Sequence, residues 1–337
     1  MKSSRRDFIA RSVLASTGLS AGFSTILKGE KVVLSSPDLS GSVQNTDKEA
    51  FTISIFSKHL QWLGLKEMAE TASQIGFDGL DLTVRPGGHV LPERVETDLP
   101  AAVAAADRSG IRVYMITTSI INAEDPVTVK ILKTASSLGI RHYRTGYGHY
   151  DNSMTIEENM KMMQEKLQKL AEINEKFSIS GEYQNHSGMA GERNYFGGPL
   201  WDIAGVLKKI GSDWIGSQYD IYHAMIEGGY SWPVDLRLMA PYIRSLDIKD
   251  FIWTKRDNGK WSSDTVPLGE GMIDFPAYFR LLKQLNVRCP VSLHFEYPLG
   301  GAEHGSRELT MKREDVLAAM KKDLLTLRNY LKEADLV

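Results

Sequence analysis

The chain has 337 residues, 42% hydrophobic and 24% charged, which is ordinary globular composition and long enough to bury a large core. Its formal net charge is −2 and no basic block interrupts it, so it lacks the electrostatic footprint of a nucleic-acid-binding protein. A single cysteine, Cys289, excludes an intramolecular disulfide.

First in chain order is Ser4-Arg5-Arg6-Asp7-Phe8-Ile9-Ala10, followed by a modestly apolar run to about Leu27. Paired arginines ahead of a weakly hydrophobic segment resemble a twin-arginine export signal. Arg11 interrupts the run, and a membrane span needs ~20 predominantly apolar residues, so no membrane anchor is expected. Residues 29–48 are rich in Ser, Asp and Asn and read as a linker. The expected organisation is an export signal and start of linker over 1–34, linker over 35–50 and one domain over 51–337. A periplasmic or otherwise exported location goes with it.

From Phe51 onward, short β-rich runs alternate with longer amphipathic segments. Strands are expected at Phe51–Phe56, Gly79–Val84, Arg112–Thr117, His142–Gly146, Ile179–Gln184, Ile215–Asp220, Ile243–Lys249 and Val291–Glu296. Between them, helical patterns run over Leu65–Gln74, Leu99–Ser109, Val127–Leu138, Ile156–Lys176, Leu200–Ile210, Val234–Met239, Phe275–Leu285 and Glu314–Leu331. Such alternation implies a parallel sheet, because parallel neighbours need crossover connections. Gly76, Gly110 and Gly139 each follow a helical pattern, where glycine ends a helix in the left-handed conformation. Eight units predict an α/β fold, the (β/α)8 TIM barrel, a closed parallel sheet ringed by helices. A doubly wound open sheet would place a Gly-rich phosphate loop after the first strand, and Phe56-Ser57-Lys58-His59-Leu60 is not one.

In such a barrel the active site lies at the C-terminal ends of the strands. Four consecutive strands there carry a carboxylate: Glu182, Asp220, Asp247 and Glu296. Converging carboxylates repel unless protons or a cation neutralise them. A divalent ion bound through oxygen is the simplest resolution, with Mn²⁺ expected ahead of Mg²⁺ or Co²⁺. The alternative is that each acid caps a helix or sits low in the barrel. Aromatic residues crowd the same loops, and Trp232 is expected to face a substrate. No arginine cluster or phosphate nest is visible along the chain, so a non-phosphorylated substrate is expected.

This pattern resembles the xylose isomerase-like TIM-barrel superfamily of sugar isomerases, ketose 3-epimerases and inosose dehydratases, from about Phe51 to Leu331. Glu182 and Asn185 match the metal Glu of the epimerase branch and the Asn three residues later. Asp220 and His223 match its Asp-x-x-His, with the Asp on the metal and the His on the substrate, and Glu296 matches a second metal Glu. Pro267 to Phe275 is similar to the Gly-x-Gly segment that leads into the family's last barrel helix. One position departs: relatives carry His-x-Lys-Asp at the seventh strand, and here Asp247 replaces the His ahead of Lys249 and Asp250. The resemblance implies a free sugar or keto-sugar as substrate, and barrels that pair as homo-oligomers.

A divalent ion can chelate a carbonyl and an adjacent hydroxyl, acidifying the neighbouring C–H and stabilising an enediolate. Glu182 and Glu296 would exchange protons at that carbon from opposite faces, giving epimerisation or aldose–ketose isomerisation. His223, His186, Asn185 and Lys249 are expected to bind substrate. A β leaving group would turn the same intermediate into a lyase or dehydratase reaction on a 3-keto-glycoside or inosose. A carbohydrate-binding barrel without turnover is the reading from another class.

Overall fold

The computed structural model describes residues 51–188 and 194–337, so the expected export signal and linker lie outside the described residues. Eight parallel strands close into a barrel, as the alternation predicts. They are β1 (Ile53–Phe56), β2 (Gly79–Val84), β3 (Arg112–Thr118), β4 (His142–Arg144), β5 (Ser180–Gln184), β6 (Ile215–Asp220), β7 (Ile243–Ile248) and β10 (Val291–Leu293). Pairing of β10 with β1 completes the ring.

The outer layer is formed by α1 (Leu65–Ile75), α2 (Val95–Arg108), α3 (Pro126–Ser137), α4 (Ile156–Phe177), α5 (Trp201–Ile210), α6 (Ile221–Gly228), α7 (Trp232–Met239), α8 (Phe275–Gln284) and α9 (Arg313–Glu333). Their starts are chemically marked. Thr155 and Glu158 form a capping box ahead of α4, while Asp125 and Asp274 accept backbone N–H groups at the starts of α3 and α8. Gly76 ends α1 at φ 109°, with Gly110 and Gly139 also at positive φ as expected. Along each strand the side chains alternate. Leu80 and Leu82 of β2, Tyr183 of β5 and Leu246 of β7 are fully buried within the apolar core that includes the helix faces. Burying each such Leu contributes roughly 1.5–3 kcal/mol. The intervening residues point into the barrel.

Two elements depart from expectation. Between β7 and β10 the chain adds an antiparallel hairpin, β8 (Asp250–Lys255) with β9 (Trp261–Val266), outside the barrel sheet. The dipeptide Asn258-Gly259 at its turn is the local signal, with Gly259 at φ 77°. Helix α6 begins immediately after Asp220 and is only eight residues long, too short to display a hydrophobic period. Among the described residues no helix is long and apolar enough to cross a membrane.

Candidate active site

Inward-facing side chains stack in layers along the barrel axis. At the lowest, His142 of β4 places Nδ1 2.5 Å from Glu182 Oε1, and Ser245 of β7 donates to Glu182 Oε2. Both oxygens of Glu182 are thus engaged below the mouth. The expectation that Glu182 stands with the other carboxylates at the strand ends is corrected by this placement. Side chains alternate with a period of two, so the β5 residue facing Asp220 is Gln184, two positions further on.

One layer up, Gln184 Nε2 donates to Asp220 Oδ2 at 2.9 Å and to Asp247 Oδ2 at 2.5 Å. Gln218 donates to Asp247 Oδ1 at 2.6 Å. Across the axis, Asp81 of β2 accepts from Thr117 at 2.8 Å and from Ser292 at 2.7 Å. Burial pushes Asp247 up to about 7, with Arg144 and Lys249 opposing it. Burial and the nearby Asp247 raise Asp81 in the same direction. Asp81, Asp247 and His294 bring three ligand atoms within 4.8 Å of one another, which makes them a candidate cation site. The chemistry of the set fits a divalent ion. Both ring nitrogens of His294 are buried without a hydrogen-bond partner, and each carboxylate is oriented by neighbouring donors, as metal ligands usually are.

At the mouth the arrangement is different. Lys249 Nζ lies 3.0 Å from Asp220 Oδ2, 3.3 Å from Glu296 Oε2 and 3.1 Å from His223 Nε2, and over the Tyr222 ring at 4.8 Å. An ammonium has three donors, and all three are matched. Lys58 adds a second positive charge 3.0 Å from Glu296 Oε1. Burial works against the Lys249 charge, but Asp220 and Glu296 outweigh it and raise the group. Burial likewise opposes ionisation of Glu296, and Lys249 and Lys58 hold it well below the carboxylate range. Asp220 and Glu296 are therefore neutralised by lysines of this chain. The four-carboxylate metal shell of Glu182, Asp220, Asp247 and Glu296 is not assembled, and a divalent ion at Asp220 and Glu296 does not fit beside the Lys249 ammonium.

The remaining expected residues separate into groups. Asn185 accepts from the Asp220 backbone N–H at 2.8 Å and donates to its carbonyl at 2.9 Å, fixing the end of β6. Asp220 also accepts from the His223 N–H at 3.3 Å and so caps α6. His223 is buried behind the mouth, bonded through Nδ1 to Ser187 Oγ at 2.8 Å, with the His186 ring 3.9 Å away. Burial and Lys249 keep both imidazoles neutral, His186 at about 4 and His223 well below its usual value. Trp232 packs against Tyr278 of α8 and does not line the axial cavity, which corrects its expected role. Asp250 accepts four backbone N–H groups, from Phe251, Gly269, Gly271 and Ile273, and fastens the loop before α8.

A cavity of about 190 Å³ opens at the mouth, and His186, Lys249, His294 and Glu296 share its wall with Lys58, Arg85 and Arg144. These last three come from different parts of the chain, so no stretch of sequence displays them as a cluster. Gln184, Asp81 and His294 also escape a reading based on strand-end carboxylates, although inward alternation on β2, β5 and β10 would have found them.

The family model described as xylose isomerase-like TIM barrel matches residues 69–316. No curated protein matches the sequence. Solved structures of similar fold include D-psicose 3-epimerase from Clostridium cellulolyticum H10, with a TM-score of 0.62, 15% identity and coverage of 83% of this chain and 99% of that one. A xylose isomerase domain protein from Planctomyces limnophilus gives 0.60, 16%, 86% and 99%. The 3-keto-D-glucoside 4-epimerase of E. coli gives 0.58, 15%, 83% and 99%.

Proposed function

We propose, for a chain that belongs to the xylose isomerase-like TIM barrel family, an enzyme that moves a proton at a carbon beside the carbonyl of a non-phosphorylated sugar or keto-sugar, as an isomerase or epimerase. The observation that carries this reading is the meeting of Lys249, Glu296 and the neutral His186 on one axial cavity. Lys249 is held protonated in a buried setting, and a developing enediolate oxygen that displaced the neutral His223 from one of its three donors would be stabilised there far better than in water. Glu296 is ionised on the cavity wall, and a substrate oxygen that drew Lys249 or Lys58 away would free one of its oxygens to accept a proton from the substrate carbon. His186 is neutral, so it can accept or relay one from another side of the cavity. Glu182, engaged in the barrel floor, takes no part.

Asp81, Asp247 and His294 would hold a divalent ion, which when bound supplies a Lewis acid for a substrate oxygen. The mixed carboxylate and imidazole set suits Mn²⁺ or Co²⁺ better than Mg²⁺. Export by the twin-arginine route is part of the same reading and is supported by Arg5-Arg6 and the apolar run after them.

The test is deuterium incorporation from D2O beside the carbonyl of free sugars and keto-sugars. Exchange that fails in Glu296→Gln supports the reading, and absence of exchange across aldoses, ketoses and keto-glycosides overturns it. Exchange accompanied by release of an aglycone or of water would instead identify a lyase built on the same enediolate.

A further inference from the structure

Two of the cavity's cations have no carboxylate in contact with them. Lys58 and Lys249 are paired with Glu296 and Asp220. Arg144 is only 6% exposed, yet no carboxylate of the described residues lies within 4.0 Å of it. Its Nη1 donates to Gln184 Oε1 at 3.0 Å, and its Nε has no partner. The side chain of Arg85, on the loop after β2, makes no ion pair or hydrogen bond with any described residue, although the residue is half-buried. Both guanidinium carbons lie 5.5 Å from the centroid of one ring, that of Phe56, and both line the same cavity. Burial, together with the charge of Arg144, pulls Arg85 down to about 10.

Two guanidinium groups held together repel each other. Burial opposes the Arg144 charge, while Tyr147, Asp247, Asp81 and Glu296 favour it from a distance. Neither guanidinium has a carboxylate in contact, and a buried charge without a contacting partner is unfavourable. An oxyanion from the ligand resolves both, and planar carboxylate matches the guanidinium fork with two parallel hydrogen bonds. Phosphate sites of this fold are usually built from the loops after the seventh and eighth barrel strands. Here those positions carry Lys249, whose donors are all matched, and the negative Glu296, while the two arginines stand just after β2 and at the end of β4. The cavity of about 190 Å³ has room for roughly six waters at ~30 Å³ each, enough for a compact sugar acid.

We propose that Arg85 and Arg144 bind the carboxylate of a sugar acid, so that the substrate is a uronate or its keto isomer rather than a neutral sugar. The sugar rests on the isomerase or epimerase reading above; the charge rests on the arginine pair alone.

The experiment is titration calorimetry of the full chain with D-glucuronate, D-galacturonate and their keto isomers, against glucose, fructose and glucose 6-phosphate, at fixed ionic strength. At least one uronate is expected to bind tenfold or more tightly than its neutral parent. Arg144→Gln and Arg85→Gln should each lose at least tenfold of that affinity. Where a Gln variant fails to give a native near-UV spectrum, the Lys variant carries the test. It keeps the charge but loses the fork and should bind severalfold more weakly. No uronate binding, equal binding of the neutral sugars, tighter binding of glucose 6-phosphate, or affinity unchanged in both arginine variants would overturn the proposal. Deuterium exchange on the same panel separates the two readings. Exchange confined to neutral sugars rejects the carboxylate and keeps the isomerase. Arginine-dependent uronate binding without exchange on any compound keeps the carboxylate and rejects the isomerase.

Discussion

The Lys249 ammonium holds the Asp220 carboxylate at 3.0 Å in a setting where neither side chain is more than 3% exposed. Removing one partner of such a pair leaves an uncompensated buried charge, at a cost of roughly 3–5 kcal/mol. Lys249→Met is therefore expected to lower the melting temperature by roughly 10 °C in a domain of this size. Adding Asp220→Asn to that variant should recover much of the loss. Thermal melts of the two single variants and the double variant measure the coupling, and strict additivity would contradict the pairing.

Metal content distinguishes the deep site from the mouth. Asp81→Asn and Asp247→Asn are expected to reduce Mn²⁺ retained after dialysis by at least tenfold, whereas Glu182→Gln should retain it. Elemental analysis of the purified variants reads this directly. Metal lost only in Glu182→Gln would restore the four-carboxylate shell. The same Glu182→Gln change weakens the His142 contact at 2.5 Å and should cost about 1–3 kcal/mol of stability.

Much of this architecture was legible in the sequence, and the reasons are particular. Gly76, Gly110 and Gly139 marked helix ends because only glycine reaches the left-handed conformation without penalty. Asp220 and Asp247 do stand at the ends of β6 and β7, where the apolar runs of those strands stop, whereas β10 ends at Leu293 and leaves Glu296 on the loop beyond it. Glu182 was misplaced by one inward step, since a strand of period two offers two inward residues, Glu182 and Gln184, and composition favours the acid. Arg85 and Arg144 could not be paired in advance, because only closure of the barrel brings β2 and β4 around Phe56.

Gly271 is held to glycine by crowding. A Cβ there would lie 2.1 Å from Asp250 Oδ1 and 2.5 Å from the Phe251 carbonyl, so the loop must move and loosen the four N–H bonds to Asp250. Gly271→Ala is expected to cost about 2–4 kcal/mol. Gly259→Ala, at φ 77° with open space around it, should cost only about 1 kcal/mol. Equal losses in denaturant unfolding would show that the Asp250 clamp contributes nothing.

Acid should destabilise the protein through buried neutral histidines. His89 sits between the Leu60 carbonyl, 3.2 Å from Nε2, and Thr83 Oγ1, 3.3 Å from Nδ1. Burial pulls it down to about 4 from 6.5. Between those values the unfolded chain binds a proton that the folded chain refuses, so the stability it contributes is complete above pH 6.5 and lost as pH falls through 4. The loss amounts to about 3 kcal/mol at ~1.4 kcal/mol per pH unit. His89→Gln should flatten the decline in melting temperature between pH 7 and 5, and an unchanged slope would assign the acid sensitivity elsewhere.

The trio of His142, Glu182 and Ser245 has a consequence for traffic through the barrel. These buried side chains, bonded across the axis, fill the layer beneath the cavity that opens at the mouth. A proton held by Glu296 at the mouth lies on the opening's side of that floor, so it is handed back inside the cavity or exchanges past the opening that admitted the substrate. How much of the label survives in product then becomes a measure of how tightly that opening closes during turnover.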